Sequence, residues 1–276
     1  MVLVERYLGL LGIEHAPSGV AGLQEIVHRH LCRAPFENVS KLLLIGREGA
    51  GREITLAEFL DGIEHYDLGG TCYTSNPFLA GLLRALGYDA DLLGADMSKP
   101  NVHTSIRVRI GPHQYHVDVG YAAPFREAMR LDRLPHQILH GPYRYVLDRD
   151  SRAGEYEMAV FSGGERVHGY AVHGPARDRE FFRPIVHDSF RPDAMFLSCL
   201  RIMRFFDEHA AELKNATLIR YRGSESSQTT LRTMAELRRA VEKDLAMPRC
   251  PVEEAVEILE RLTGQKFFEG PSYPGY

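Results

Sequence analysis

The spacing of apolar residues changes once along the chain, and this change constrains the fold more than any other feature. Up to about residue 87 the spacing is helical. Leu23, Ile26, Val27 and Leu31 share one stripe in "GVAGLQEIVHRHLCRAPF"; Phe78, Leu79, Leu82, Leu83 and Leu86 share another in "SNPFLAGLLRALG". Pro35 closes the first helix and Gly87 the second. Between them, Thr55 with Glu58 three residues on is a capping-box pattern. From about 88 to 190 the period is two, in "HTSIRVRI", "QYHVDVGY", "YRYVLDRD", "EYEMAVFSGG" and "ERVHGYAVHG". From 191 the pattern is mixed, with helices in "TMAELRRAVEKDLAM" and "PVEEAVEILERLTG". This order predicts an α+β protein: helices over 1–87, a small antiparallel barrel or sandwich over 88–190, and a mixed region over 191–276. The final "GPSYPGY" reads as a loose tail.

Composition excludes several classes. Of the 276 residues, 44% are apolar and 25% charged, so a core is available, and the net charge of −4 comes without a basic run that would suit nucleic acid. No apolar stretch approaches the roughly 20 residues that span a bilayer. The start, "MVLVERYLGLLGIEHAPSG", carries Glu5 and Arg6 within its apolar pattern and reads as an amphipathic helix, not a signal peptide. Cys32, Cys72, Cys199 and Cys250 are irregularly spaced, with no C-x-x-C. That pattern fits a reducing, cytoplasmic setting and argues against a disulfide framework or a zinc site.

One hairpin carries chemistry. In "HTSIRVRIGPHQYHVDVGY" a two-residue loop at Gly111-Pro112 suits a type II′ turn. The register then pairs Ile110 with His113, Val108 with Tyr115 and Ile106 with Val117. The opposite face places Arg107 by His116, Ser105 by Asp118 and His103 by Gly120. His103 and Asp118 become diagonal neighbours, with Cα atoms about 7–8 Å apart and within hydrogen-bond reach through their side chains. A third residue joins them on chemical grounds. Cys72 in "LGGTCYTSN" lies at a glycine-rich bend where a helix begins, and a helix N-terminus and an imidazolium both stabilise a thiolate. Cysteine, histidine and aspartate then make a nucleophile, a base and an orienting carboxylate. The competing reading makes Cys72 a packed small residue and His103 and Asp118 polar residues of a solvated strand.

Four segments in the same order resemble the arylamine N-acetyltransferase family. "APFENVS" resembles its V-P-F-E-N-L segment, and "GGTCYTSNPFLAGLLRALGYDADLL" its R-G-G-x-C-x-E-x-N block and the helix after it. "VHTSIRV" resembles T-H-x-x-L-x-V, and "YHVDVGY" resembles Y-x-V-D-V-G-F. The likeness covers residues 1–125 well, with a weaker match in "PDAMFLSCLRIMRF". It implies a helical bundle carrying Cys72 (1–87), a β-barrel carrying His103 and Asp118 (88–190) and an α/β lid (191–276), around a cysteine-protease-like catalytic core. It implies acetyl-coenzyme A as donor, an aromatic amine or hydrazine as acceptor, and a ping-pong reaction through acetyl-Cys72, with no metal. The oxyanion donors would be backbone N–H groups of Cys72 and of Thr104.

The departures fall around the thiol. Leu68 replaces the family's arginine, Thr74 its glutamate and Ala122 its glycine, while Glu37 stays. A buried carboxylate left without that arginine needs other partners. These changes keep three alternatives open: an amide synthase transferring a larger or carrier-bound acyl group, a thiol hydrolase, and a non-catalytic binding protein. Phe36, Tyr121, Phe125 and Phe196 are candidates to shape an aromatic acceptor pocket, each also readable as core. His28, His30 and Cys32 suggest a metal, but i and i+2 point to different helix faces. His113 and His116 read as turn and strand-surface residues, with His116 a candidate to line the cleft.

Overall fold

The computed structural model describes residues 2–150 and 155–269; the expected tail at 270–276 lies outside the described residues. Five helices come first: α1 (Val2–Leu10), α2 (Gly19–Arg33), α3 (Val39–Glu48), α4 (Leu56–Tyr66) and α5 (Cys72–Ala85), with a two-residue strand β1 (Phe36–Glu37) after α2. The capping box forms as expected: the Thr55 hydroxyl accepts from the Glu58 N–H, and Glu58 accepts from the Thr55 N–H at 2.7 Å. Leu23, Ile26 and Val27 of α2 and the stripe of α5 meet in one core with Phe59, Leu60 and Ile63 of α4, while Leu31 packs in a separate cluster with Phe36 and Met203.

The two-residue period produces β2 (Asp89–Asp96), β3 (His103–Ile110), β4 (His113–Val117), β5 (Met129–Arg130), β6 (His136–His140), β7 (Tyr143–Asp148), β8 (Tyr156–Ser162) and β9 (Glu165–Arg177). They form one antiparallel sheet in the order β5-β4-β3-β2-β9-β8-β7-β6. Its two edges approach where His136 Nε2 donates to the Arg130 carbonyl at 2.8 Å, so the sheet curls into a nearly closed barrel. The hairpin register is the expected one, with Ile110 opposite His113 and Ile106 opposite Val117, and Gly111 has φ +57°. Val108, Tyr115 and Val117 pack onto the helical core, while the opposite face turns into the barrel. The alternation ends before 190: α6 (Arg179–Asp188), capped by Asp178, occupies the last part of the span expected to be strand.

A single 3-10 turn (Met195–Leu197) leads into β10 (Arg201–Phe205), β11 (His209–Lys214), β12 (Thr217–Arg222) and β13 (Glu225–Thr230). These pair antiparallel in the order β1-β10-β11-β12-β13, so the short β1 edges this second sheet. One face of it, with Ile202, Leu213 and Leu218, packs on α7 (Met234–Lys243) and α8 (Val252–Thr263). Among the described residues no helix is long and apolar enough to cross a membrane.

Candidate active site

Cys72 is the first residue of α5, after Thr71 in extended conformation. The bend before it is fixed by packing. A Cβ on Gly69 would lie 2.2 Å from the Pro35 carbonyl, so no other residue fits there. Glu37, fully buried on β1, holds the same bend: its Oε1 accepts from the N–H groups of Gly69 (3.1 Å) and Gly70 (2.6 Å), and its Oε2 from that of Ser40 (2.8 Å). Burial pushes its pKa up, and these amides pull it back. The carboxylate thus finds backbone partners where the family's arginine is missing. Leu68 instead joins the apolar core beneath β10–β12, and the Thr74 hydroxyl donates to the Thr71 carbonyl at 2.9 Å. Asn38 extends the clamp: its Nδ2 donates to the carbonyls of Phe196 (2.9 Å) and Cys199 (2.6 Å), and its Oδ1 accepts from the Arg201 N–H (2.7 Å).

The hairpin brings His103 and Asp118 together, with Nε2 2.7 Å from Oδ2 and both side chains almost wholly buried. Asp118 takes four donors: His103 and the Tyr170 hydroxyl (2.8 Å) on Oδ2, Asn76 Nδ2 (2.9 Å) and the Gly120 N–H (2.9 Å) on Oδ1. Burial raises the carboxyl pKa, but the His103 charge and these donors overcome it and bring it to about 2. For His103 burial acts downward, and the charges of Asp118 and Cys72, with hydrogen bonds to both, push it up to about 10. The Nε2–H faces the carboxylate, which leaves Nδ1 for the thiol. Lys41 adds a positive charge near Cys72 from α3; it donates to Ser189 at 2.6 Å over the Phe190 ring, and burial pushes its pKa down to about 8.

Gly120 packs against Cys72 so closely that a Cβ there would lie 2.5 Å from the Cys72 Cα. Cys72 and His103 open onto a cavity of about 500 Å³. Of the four candidate aromatic residues, Phe36, Tyr121 and Phe196 line it. Phe125 does not. It is fully buried in the barrel core, with its ring stacked on Tyr121 at 6.0 Å, so it backs the pocket wall. Thr104 also differs from its expected place. It is fully buried outside the cavity lining, and its hydroxyl donates to the Cys72 carbonyl at 2.8 Å, which ties β3 to the first residue of α5. The helix leaves the N–H groups of Cys72 and Tyr73 without intrahelical acceptors, since those of Thr74 and Ser75 take the Thr71 carbonyl.

His116 is buried inside the barrel, not on the strand surface or in the cavity lining. Its Nε2 lies 2.9 Å from the Tyr170 hydroxyl and its Nδ1 3.3 Å from that of Tyr156. Burial lowers its pKa to about 4, and the neutral ring forms a relay from Tyr156 through Tyr170 to Asp118. Asn76 and Tyr170 were missed in the sequence. Asn76 stands in the quoted cysteine block, and that is its signal; Tyr170 has none, because it reaches Asp118 from β9. His113 is a turn residue, paired with Asp132 at 3.0 Å. His28 and His30 point apart as expected: His30 is buried against Tyr7, while His28 meets Asp207 at 2.8 Å. His28, Cys32 and Asp207 place potential ligand atoms within 4.8 Å of one another, and among the described residues this is the one group of three His, Cys, Asp or Glu side chains that close together.

A thiol, an imidazole and a carboxylate set side by side at a cavity have the chemistry that thiol-dependent acyl transfer needs. Comparison with known proteins adds the family. A family model described as N-acetyltransferase matches residues 19–248. An arylamine N-acetyltransferase of Mycolicibacterium smegmatis is 25% identical over 85% of this chain and 88% of its own length. The pineal gland isozyme NAT-10 of Gallus gallus is 31% identical over a shorter stretch, so that this chain matches only 37% of that relative's length. The fold is similar to that of the Mycobacterium marinum arylamine N-acetyltransferase in complex with CoA, with TM-score 0.79 and 19% identity over 94% of this chain and 99% of that one. The chain belongs to the arylamine N-acetyltransferase family.

Proposed function

We propose that this protein transfers an acyl group, in the first instance acetyl, from a coenzyme A thioester to an arylamine or arylhydrazine through Cys72. The observation that carries this reading is the His103–Asp118 contact of 2.7 Å beside a thiol at a helix N-terminus and a cavity mouth. The three units expected from the sequence, at 1–87, 88–190 and 191–276, supply thiol, base and cavity floor respectively. A CoA complex of a relative with the same fold supports the choice of donor.

In the first half-reaction the Cys72 thiolate attacks the thioester carbonyl carbon. The negative charge on the carbonyl oxygen falls near the unpaired N–H groups of the first α5 turn. The coenzyme sulfur leaves, and His103 gives it a proton. In the second half-reaction the amine attacks acyl-Cys72, and His103 takes one amine proton as the thiolate departs. The imidazolium–thiolate pair is then restored. Asp118 remains ionised throughout and keeps the His103 Nδ1 turned to sulfur.

Cavity size supports a second reading, transfer of a larger acyl group, since about 500 Å³ exceeds what an acetyl group and one ring fill. The first test is the intact mass after incubation with acetyl-coenzyme A. One acetyl group is expected on the protein and none on Cys72→Ala. If neither gains mass but Cys72 is alkylated rapidly by iodoacetamide, the donor is a different acyl thioester. If alkylation is also slow, the proposed chemistry is wrong.

A further inference from the structure

The cavity floor is the face of the second sheet opposite its apolar packing. Strand alternation puts Arg201 and Met203 of β10, Glu212 and Lys214 of β11 and Tyr221 of β12 on this face. Arg201 lies 2.7 Å and Lys214 3.6 Å from Glu212, and the Tyr221 hydroxyl donates to Glu212 at 2.6 Å. Among the described residues Glu212 is the only carboxylate in ion-pair range of either cation. Two positive charges therefore share one negative charge, with both cationic side chains at most 15% exposed. Hydrogen bonds are also missing on the floor: Arg201 Nε and His140 Nε2 are buried without partners. The walls above are aromatic: Phe36, Tyr121 and Phe196.

A surplus buried cation with unmade hydrogen bonds is costly unless a ligand supplies the counter-charge. Arg presents a planar fork that matches a carboxylate, and the Arg201 backbone is held in place by Asn38. We propose that the floor is an anion subsite, formed by Arg201 and Lys214, for a carboxylate at the far end of the substrate whose near end reacts at Cys72. The rest of that substrate is an apolar or aromatic body that fits between the rings. The inference rests on the acyl-transfer reading for its chemistry but not for its binding. The carboxylate arrives on the acceptor amine or on the acyl group.

Two comparisons separate these sources. For the acceptor, kcat/KM of an aminobenzoate is measured against the matching aminobenzamide, with acetyl-coenzyme A as donor. For the donor, the rate of Cys72 acylation by succinyl-coenzyme A is measured against butyryl-coenzyme A. In one arm the carboxylated member should be favoured at least tenfold, and the preference should fall to within about twofold in Arg201→Gln and in Lys214→Met. The second variant leaves the Arg201–Glu212 pair intact and guards against misfolding of the first. Equal preference in both arms, or preference unchanged in both folded variants, overturns the subsite. If no thioester acylates the protein, the transfer reading fails by itself. Binding of benzoate against benzamide to folded Cys72→Ser then decides: a tenfold preference for benzoate, lost in Lys214→Met, supports the subsite, and equal binding overturns it.

Discussion

The two sides of the cavity solve the same electrostatic problem differently. On the barrel side a buried carboxylate, Asp118, is saturated by four donors from α5, β3, β9 and the chain just after β4. On the floor a buried carboxylate, Glu212, is shared by two long cationic side chains and a tyrosine, and polar atoms beside it remain unpaired. Saturation fixes geometry and charge and leaves no opening for a ligand. The floor keeps charge to spare on flexible side chains. Catalysis requires the first arrangement and recognition the second.

The sharpest way to break this contrast is Asp118→Asn. It should lower acylation of Cys72 by on the order of 10³–10⁴, because His103 loses its charge partner and its preferred tautomer. Glu212→Gln should act mainly through KM, and an equal loss of kcat in both variants would contradict the distinction. Stop-flow acylation kinetics measure both.

A pH series sharpens it further. The His103 pKa is raised to about 10, so its stabilising contribution is present below about 6.5 and is lost as pH rises through about 10. The Asp118 pKa is lowered to about 2, so its contribution is present above about 3.8 and is lost as pH falls through about 2. The His103 imidazole should therefore stay protonated from about pH 6 to 9 and titrate within that range in Asp118→Asn, where burial of His103 is no longer opposed by the carboxylate. The imidazole resonance of His103 followed by NMR should shift its midpoint downward in the variant.

Glu37→Ala should cost about 3 kcal/mol or more, since three backbone N–H groups lose their acceptor. Chemical denaturation measures that loss. Tyr170→Phe removes one of four donors to Asp118 and should slow kcat by about tenfold with KM little changed, an effect of roughly 1.4 kcal/mol. Ala122→Gly is the smallest change. Ala122 holds φ +61°, in the left-handed region that disfavours a Cβ, and glycine should raise stability by about 1 kcal/mol, visible as a higher Tm.

Much of the barrel side was legible because its determinants are local. The Gly111-Pro112 turn fixed the register that joins His103 to Asp118, and period two told which face each residue takes. Phe125 misled because a strand-proximal aromatic next to a cleft residue looks the same in sequence whether it faces the cleft or stands behind it. His116 misled because a two-residue period marks a face as polar without saying that tyrosines from β8 and β9 cover it. The floor was not legible. Arg201, Glu212 and Lys214 are ordinary charges on strands, and only the pairing of β10 with β11 brings them beneath Cys72. Tyr170 was hidden for the same reason, arriving on Asp118 across 52 positions of chain.

The clamp at Glu37 and Asn38 has a consequence for the order of events during synthesis. Asn38 finds its partners 158 to 163 residues later, on the segment that enters the second sheet. A nascent chain that ends before that segment holds the cysteine, the histidine and the aspartate, yet lacks the anchor that steadies the bend before the thiol. The bend before the thiol reaches its full set of contacts only after all three of those residues have been made.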